Sequence, residues 1–232
     1  RIFKVSAQDG SLKKDITINN ATHIDWEDIT QDANYIYIND AGNNSGSRKD
    51  LKIYKINKAT LLDKDKDEAV SVLNFTYKDQ KNFAKRNYQH NFDCEAISII
   101  ENELHLFSKN HANKACDWYT LNTSLSEQEI KPYGHSNPEG LITGSAYDPT
   151  HKLLAFCGYM HQANGRKFQP FMVFHILDGK NAIRSEKVFI DMEAQIEAIC
   201  LIEDGLFYLS SEKSKGKKGS VFQFDAKRYL GL

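Results

Sequence analysis

The sequence lacks most of what marks a familiar enzyme or a membrane-spanning protein. No Ser-His-Asp order, HExxH, phosphate-binding glycine loop or dinucleotide fingerprint is present, which removes the mechanisms those arrangements serve. No apolar run approaches the roughly 20 residues that cross a bilayer as a helix. Lys and Arg total 30 against 31 Asp and Glu, and a net charge of -1 supplies no field favouring nucleic acid or an anionic membrane. The four cysteines, Cys94, Cys116, Cys157 and Cys200, show no CxxC spacing. They read as buried thiols rather than zinc ligands or a disulfide framework. Helical periodicity is almost missing as well.

What is present is a succession of short alternating runs bounded by Gly, Asn, Asp and Ser, the pattern of an all-β chain. A signature recurs at Asp25-Trp26-Glu27-Asp28-Ile29, Asp93-Cys94-Glu95-Ala96-Ile97, Asn137-Pro138-Glu139-Gly140-Leu141 and Gln195-Ile196-Glu197-Ala198-Ile199. Its intervals, roughly 40 to 70 residues, suit propeller blades with variable loops. Each signature is followed by further strand-like runs, such as Tyr35-Ile36-Tyr37-Ile38 after the first and Leu104-His105-Leu106-Phe107 after the second. A short polar strand near Ile130 is expected to finish the second blade. Arg1 to Val5 and Asp15 to Ile18 read as the third and fourth strands of a blade whose first two strands lie upstream. The expectation is one domain over 1–232, an all-β propeller of five blades with an incomplete first blade, six blades being the alternative. The charged stretch 60–68 and the basic hairpin 213–218 read as solvated surface.

Asp25-Trp26-Glu27-Asp28-Ile29-Thr30, followed by Ile38-Asn39-Asp40-Ala41-Gly42-Asn43-Asn44, resembles a bacterial group of DWEDI-motif propeller proteins similar to the SdiA-regulated, phytase-like and esterase-like propellers. Phe107-Ser108-Lys109, Gly158-Tyr159 and Ser210-Ser211-Glu212 extend the likeness over most of the chain. The resemblance implies a propeller, an upstream strand pair, and export to the periplasm or beyond the cell. It does not fix an activity, because propellers host many.

The first strand of each blade lines the central channel, so a repeated residue there recurs around the axis. Glu27, Glu95 and Glu197 should therefore converge, with Asp25, Asp93 and Gln195 two residues earlier on the same face. Gathered carboxylates demand compensation. One source is a hard cation with oxygen ligands, Ca²⁺ being the best suited; another is backbone amides of the neighbouring blade. Glu139 is the odd member, and if the third blade starts at Thr143-Gly144, Glu139 falls in the entering loop.

A second recurring position closes the second strand with Asp40, Lys109, Tyr159 and Glu212, side chains expected at the channel mouth. His23, His90 and His135 precede Glu27, Glu95 and Glu139 in loops and could bind a ligand or metal. Three readings follow: a monomeric binding or scaffold propeller holding Ca²⁺ or a small polar ligand, a Ca²⁺-dependent hydrolase of a phosphate ester or lactone with Arg48 or Lys49 receiving an anion, and a protein-interaction platform anchored by Trp118, Tyr133 and Tyr159.

Overall fold

The computed structural model describes residues 1–62, 70–161, 168–213 and 218–232. The charged stretch expected at 60–68 and the hairpin at 213–218 lie mostly outside them. Strands β1 (Ile2–Val5) and β2 (Leu12–Ile16) form an antiparallel pair. The first blade contains β3 (Ile29–Gln31), β4 (Tyr35–Asp40), β5 (Lys52–Asn57) and β6 (Val70–Tyr77), with helix α1 (Lys58–Leu62) between the last two. The second contains β7 (Cys94–Ile100), β8 (Glu103–Ser108) and β9 (Cys116–Leu121), after which β10 (Glu127–Ile130) departs and β11 (Gly134–Ser136) returns. Strands β12 (Leu141–Asp148), β13 (Leu153–His161), β14 (Phe168–Asp178) and β15 (Asn181–Phe189) make the third. Strands β16 (Ile196–Glu203), β17 (Leu206–Ser211) and β18 (Val221–Asp225) make the fourth, closed by helix α2 (Ala226–Leu230).

The strand near Ile130 corrects the expectation. It belongs not to the second blade but to the first, where β10 adds in parallel to β6. An open β6 edge would leave a row of unpaired amides and carbonyls, and β10 covers it. The second blade is completed instead by β11, antiparallel to β9.

Alternation along each strand sorts side chains between two interfaces. Leu104 and Leu106 join Tyr37, Ile53 and Phe75 between the first and second blades, whereas Phe107 joins Phe156, Phe171 and Val173 between the second and third. In β13, Leu154 and Phe156 face the second blade while Leu153, Ala155 and Cys157 face Phe207 and Leu209 of the fourth. Ile16 at the end of β2 and Ile18 just beyond it pack on Ile38, Tyr54 and Ile56 of the first blade in the same manner. At about 25 cal/mol per Å² of apolar surface, these interfaces are the main force holding the blades in a ring.

The first strands lie innermost: β12 packs against both β7 and β16, and β3 packs against β7. Cys94, Cys116 and Cys157 are buried free thiols, as their apolar runs require. Cys200 is exposed, contrary to expectation. It alternates with buried Ile199 and lies on the face of β16 turned away from the third blade.

Candidate functional site

The inner strands share a local irregularity. Between Cys94 and Ala96, between Ile142 and Gly144, and between Ile196 and Ala198 the register skips a residue, so Glu95, Thr143 and Glu197 each occupy a β-bulge. A bulge re-aims the extra side chain. Glu95 and Glu197 both reach one cavity at the channel mouth, about 600 Å³ in volume. The third blade has Thr143 at the same bulge position, buried, where its hydroxyl donates to the Ile196 carbonyl at 2.6 Å and ties two blades together. Glu139 sits in the entering loop with a left-handed φ of 51°.

The first blade delivers Asp25 and Glu27 to the same cavity. Both carboxylates lean over Gly42, where an added Cβ would stand 2.0 Å from Glu27 Oε1 and 2.7 Å from Asp25 Oδ2. Glycine at that position leaves the room they occupy. Lys109, Tyr159 and Glu212, which close the second strands of three blades, also line the cavity. Their backbones are held alike: the Lys109 amide donates to Asp93 O at 2.8 Å and the Glu212 amide to Gln195 O at 3.0 Å.

Lys109 is the cation in this acidic setting. Its Nζ lies 3.1 Å from Glu95 Oε1 and 5.6 Å from the centre of the Tyr159 ring. Burial opposes its charge, but Glu95, Tyr159 and Glu197 outweigh that and hold the ammonium protonated. Burial, then Glu95 and Asp25, push Glu27 well above the carboxylate range; burial and Asp93 push Glu95 up likewise. Burial lifts Glu197 to about 7 against the pull of Lys109. Gln195 donates to Glu197 Oε1 at 2.5 Å.

Asp93 is committed elsewhere. Burial raises it to about 6, while the Asn43 amide at 2.5 Å and His111 Nε2 at 2.8 Å occupy its two oxygens. Asp40 does not reach the mouth as expected. It is wholly buried, accepting from the Asp25 amide at 2.9 Å and pairing with Arg48 at 3.3 Å. Arg48 is thereby occupied, and Lys49 lies over Phe83.

The three expected histidines also fall outside the mouth's chemistry. His23 is exposed and packs edge-on to Trp26. His90 is buried with both ring nitrogens engaged, by Asn44 O at 3.2 Å and the Phe92 amide at 3.1 Å. His135 lies on outer strand β11 rather than in an entering loop. Trp118 is buried between blades and offers no exposed anchor.

Two functional residues were missed in the sequence. Asp28 turns its carboxylate toward the axis, accepting from the Ile29 amide at 2.8 Å, from the Ile97 amide of the second blade at 2.9 Å, and from the Ser145 amide of the third. Burial raises it to about 7 against those amides. His111 lines the cavity two residues beyond Lys109, in the loop that follows β8. Burial and then Lys109 lower it to about 4, so it is neutral at pH 7.

Asp25, Glu27, Glu95, Glu197 and Glu212 line this one cavity. Among the described residues, the one group of three whose ligand atoms lie within 4.8 Å of one another is Asp148, His151 and Asp204. It occupies the opposite end of the blades. There Asp148 already accepts from the Thr150 and Gly205 amides, and Asp204 binds His151 and Lys227.

No protein-family model matches the chain, and no curated protein does. Two solved structures of glucose dehydrogenases share its propeller fold. One is 12% identical with a TM-score of 0.54 over 95% of this chain and 71% of its own. The other is 13% identical with a TM-score of 0.51 over 96% and 70%. At this identity the likeness is one of fold.

Proposed function

We propose that the chain is a binding-type propeller whose channel mouth takes a small polar ligand carrying positive charge, or Ca²⁺. The observation that carries the proposal is the crowding of carboxyl groups around the cavity, several of them raised by burial and ready to ionise against an entering cation. Asp25, Glu27, Glu95, Glu197 and Glu212 line the cavity against the ammonium groups of Lys109 and Lys114. A cavity of this size suits a small molecule. The adjoining carboxylates of Asp25 and Glu27 favour Ca²⁺ as the simplest occupant, with Glu197 as the further oxygen donor to be recruited. The solved glucose dehydrogenases act by name on a sugar, so glucose is the first uncharged ligand to test.

The alternative of a phosphate-ester hydrolase has less support, since the walls repel anions and Arg48 is already paired. The same proposal makes β1 and β2 part of a fifth blade, because they cover the first blade as its other neighbour does. It retains export, on the resemblance of the signature segments alone.

Thermal unfolding in Ca²⁺, in glucose and in EDTA tests the binding reading. A ligand at a hundred times its Kd stabilises the fold by about 2.7 kcal/mol. That corresponds to a rise in Tm of about 5 to 10 °C for a chain of this length. Glu197→Gln should diminish the rise. A Tm indifferent to Ca²⁺, glucose and EDTA alike would remove the binding reading.

A further inference from the structure

The outer edge of the first blade is covered by β10, and β9 of the second is covered by the short β11. The third blade has no such cover. Its last strand, β15, is the longest outer strand among the described residues at nine residues. Two large apolar side chains stand exposed on it, Ile183 at 66% and Phe189 at 56%. An uncovered edge of this length is a template for another strand.

The ladder decides which main-chain groups of β15 are free. Met172 faces Val188, Phe174 faces Glu186 and Ile176 faces Arg184, and the Ile190 amide continues that series by donating to Pro170 O at 3.0 Å. Hydrogen-bonded pairs alternate with non-bonded ones in an antiparallel ladder. Val188, Glu186 and Arg184 therefore spend their main-chain groups on β14, while Ser185, Lys187 and Phe189 turn theirs to the open edge. A lysine on an edge usually keeps other strands away. Lys187 is folded back instead, its Nζ donating to Pro138 O and lying 4.3 Å from the centre of the Phe171 ring.

We propose that β15 is a self-association edge, on which a second copy of this chain pairs its own β15 antiparallel about a two-fold axis at Ser185. Charge selects that register. Two such edges meeting through their outward groups can be centred on Arg184, Ser185, Glu186 or Lys187. Three of these centres set a charged residue against its own copy, which is destabilising. The centre at Ser185 sets Arg184 of each copy against Glu186 of the other, in the non-bonded position where facing side chains stand closest. The two already share a face of the strand, with Arg184 Nη2 2.9 Å from Glu186 Oε2 within one chain. The same register lays exposed Ile183 beside Lys187 of the second copy, one diagonal step from its exposed Phe189. Because β15 is the outer strand of its sheet and β12 the inner one, the contact leaves the channel mouth open and is independent of what binds there. The dimer replaces the monomer expected from the sequence.

Sedimentation velocity on the intact chain, from about 2 to 200 μM, should show a reversible shift to twice the monomer mass, since a contact of one strand with another is small and dissociates on dilution. Arg184→Glu alone and Glu186→Arg alone should each weaken association by about 10-fold or more, because only like charges then face one another. An equimolar mixture of the two variants should recover it, one copy bringing acids to both positions and the other bases. The double variant Arg184→Glu/Glu186→Arg should recover it too, with the signs exchanged. Circular dichroism and Tm check that each variant folds. As an arm free of mutation, about 1 M NaCl should weaken the parent dimer by screening its ion pairs. A parent chain that stays monomeric throughout, a dimer that ignores both single reversals, or a mixture that stays monomeric would each overturn the proposal.

Discussion

Glu197→Gln should make the fold relatively more stable as pH rises, and the size of the gain follows from the site. In the folded chain Glu197 titrates at about 7, against 4.5 for an ordinary glutamate. One pKa unit is about 1.4 kcal/mol, so holding the proton favours the fold by about 3 kcal/mol. The folded state binds that proton more tightly than the unfolded state. The contribution is therefore complete below about pH 4.5, mostly present at pH 5, and lost as pH rises through 7. Glutamine is a permanent analogue of the protonated acid and can still accept from Gln195. Buried His105, His111 and His175, each lowered to about 4, titrate with the opposite sign in the same range. They are common to both proteins and cancel in the difference. Thermal melts in EDTA at pH 5 and pH 8 should show the variant gaining about 2 to 3 kcal/mol relative to the parent, or about 5 to 10 °C in Tm. A difference constant to within about 1 kcal/mol across that range would refute a mouth in which burial holds a proton on Glu197.

Asp28→Ala should cost about 2 to 5 kcal/mol in urea unfolding, because it strands the buried amides of Ile97 and Ile29; a loss below about 1 kcal/mol would deny Asp28 its tie between blades. Lys109→Met should destabilise by about 3 to 5 kcal/mol at pH 8, where Glu95 loses its partner, and by less at pH 5, where Glu95 takes up a proton instead. Equal losses at the two pH values would contradict that pairing. Under native conditions a maleimide should label Cys200 alone, with Cys94, Cys116 and Cys157 reacting only after unfolding, as mass spectrometry can show.

The fold was legible where periodicity and burial coincide. Leu104-His105-Leu106-Phe107 alternates because its two faces meet two different blades, and the glutamate signature recurs because each blade repeats one inner strand. The strand at Ile130 was misplaced because alternation reports a strand but not its partner, and β10 pairs in parallel with a blade it does not follow in sequence. Cys200 was misjudged for a related reason. An apolar run shows which residues can be buried, whereas a covering neighbour decides which of them are. At the site, Glu95, Glu197, Lys109 and Tyr159 were found through repetition. Asp40 shares Lys109's repeat position but turns to Arg48 and the Asp25 amide, a choice made by the Arg48 loop. His111 and Asp28 repeat nothing, and so left no periodic trace.

A propeller turns one residue choice into a ring, which also multiplies its electrostatic cost. A glutamate at this position in each of the four blades would bring four carboxylates to one mouth, and this chain relieves that load in three ways. Thr143 replaces one acid with a hydroxyl that closes a bond to the next blade. Lys109 sends an ammonium inward to Glu95. Asp93 is withdrawn from the cavity by the Asn43 amide and His111. What remains is Glu27 and Glu197, both raised by burial and still facing the cavity. Stability alone would favour neutral side chains at those two positions, since each carboxylate there is protonated or uncompensated. The proposed binding role would account for that cost, since a positively charged or hydroxyl-rich ligand is the kind that ionised or hydrogen-bonding carboxylates hold.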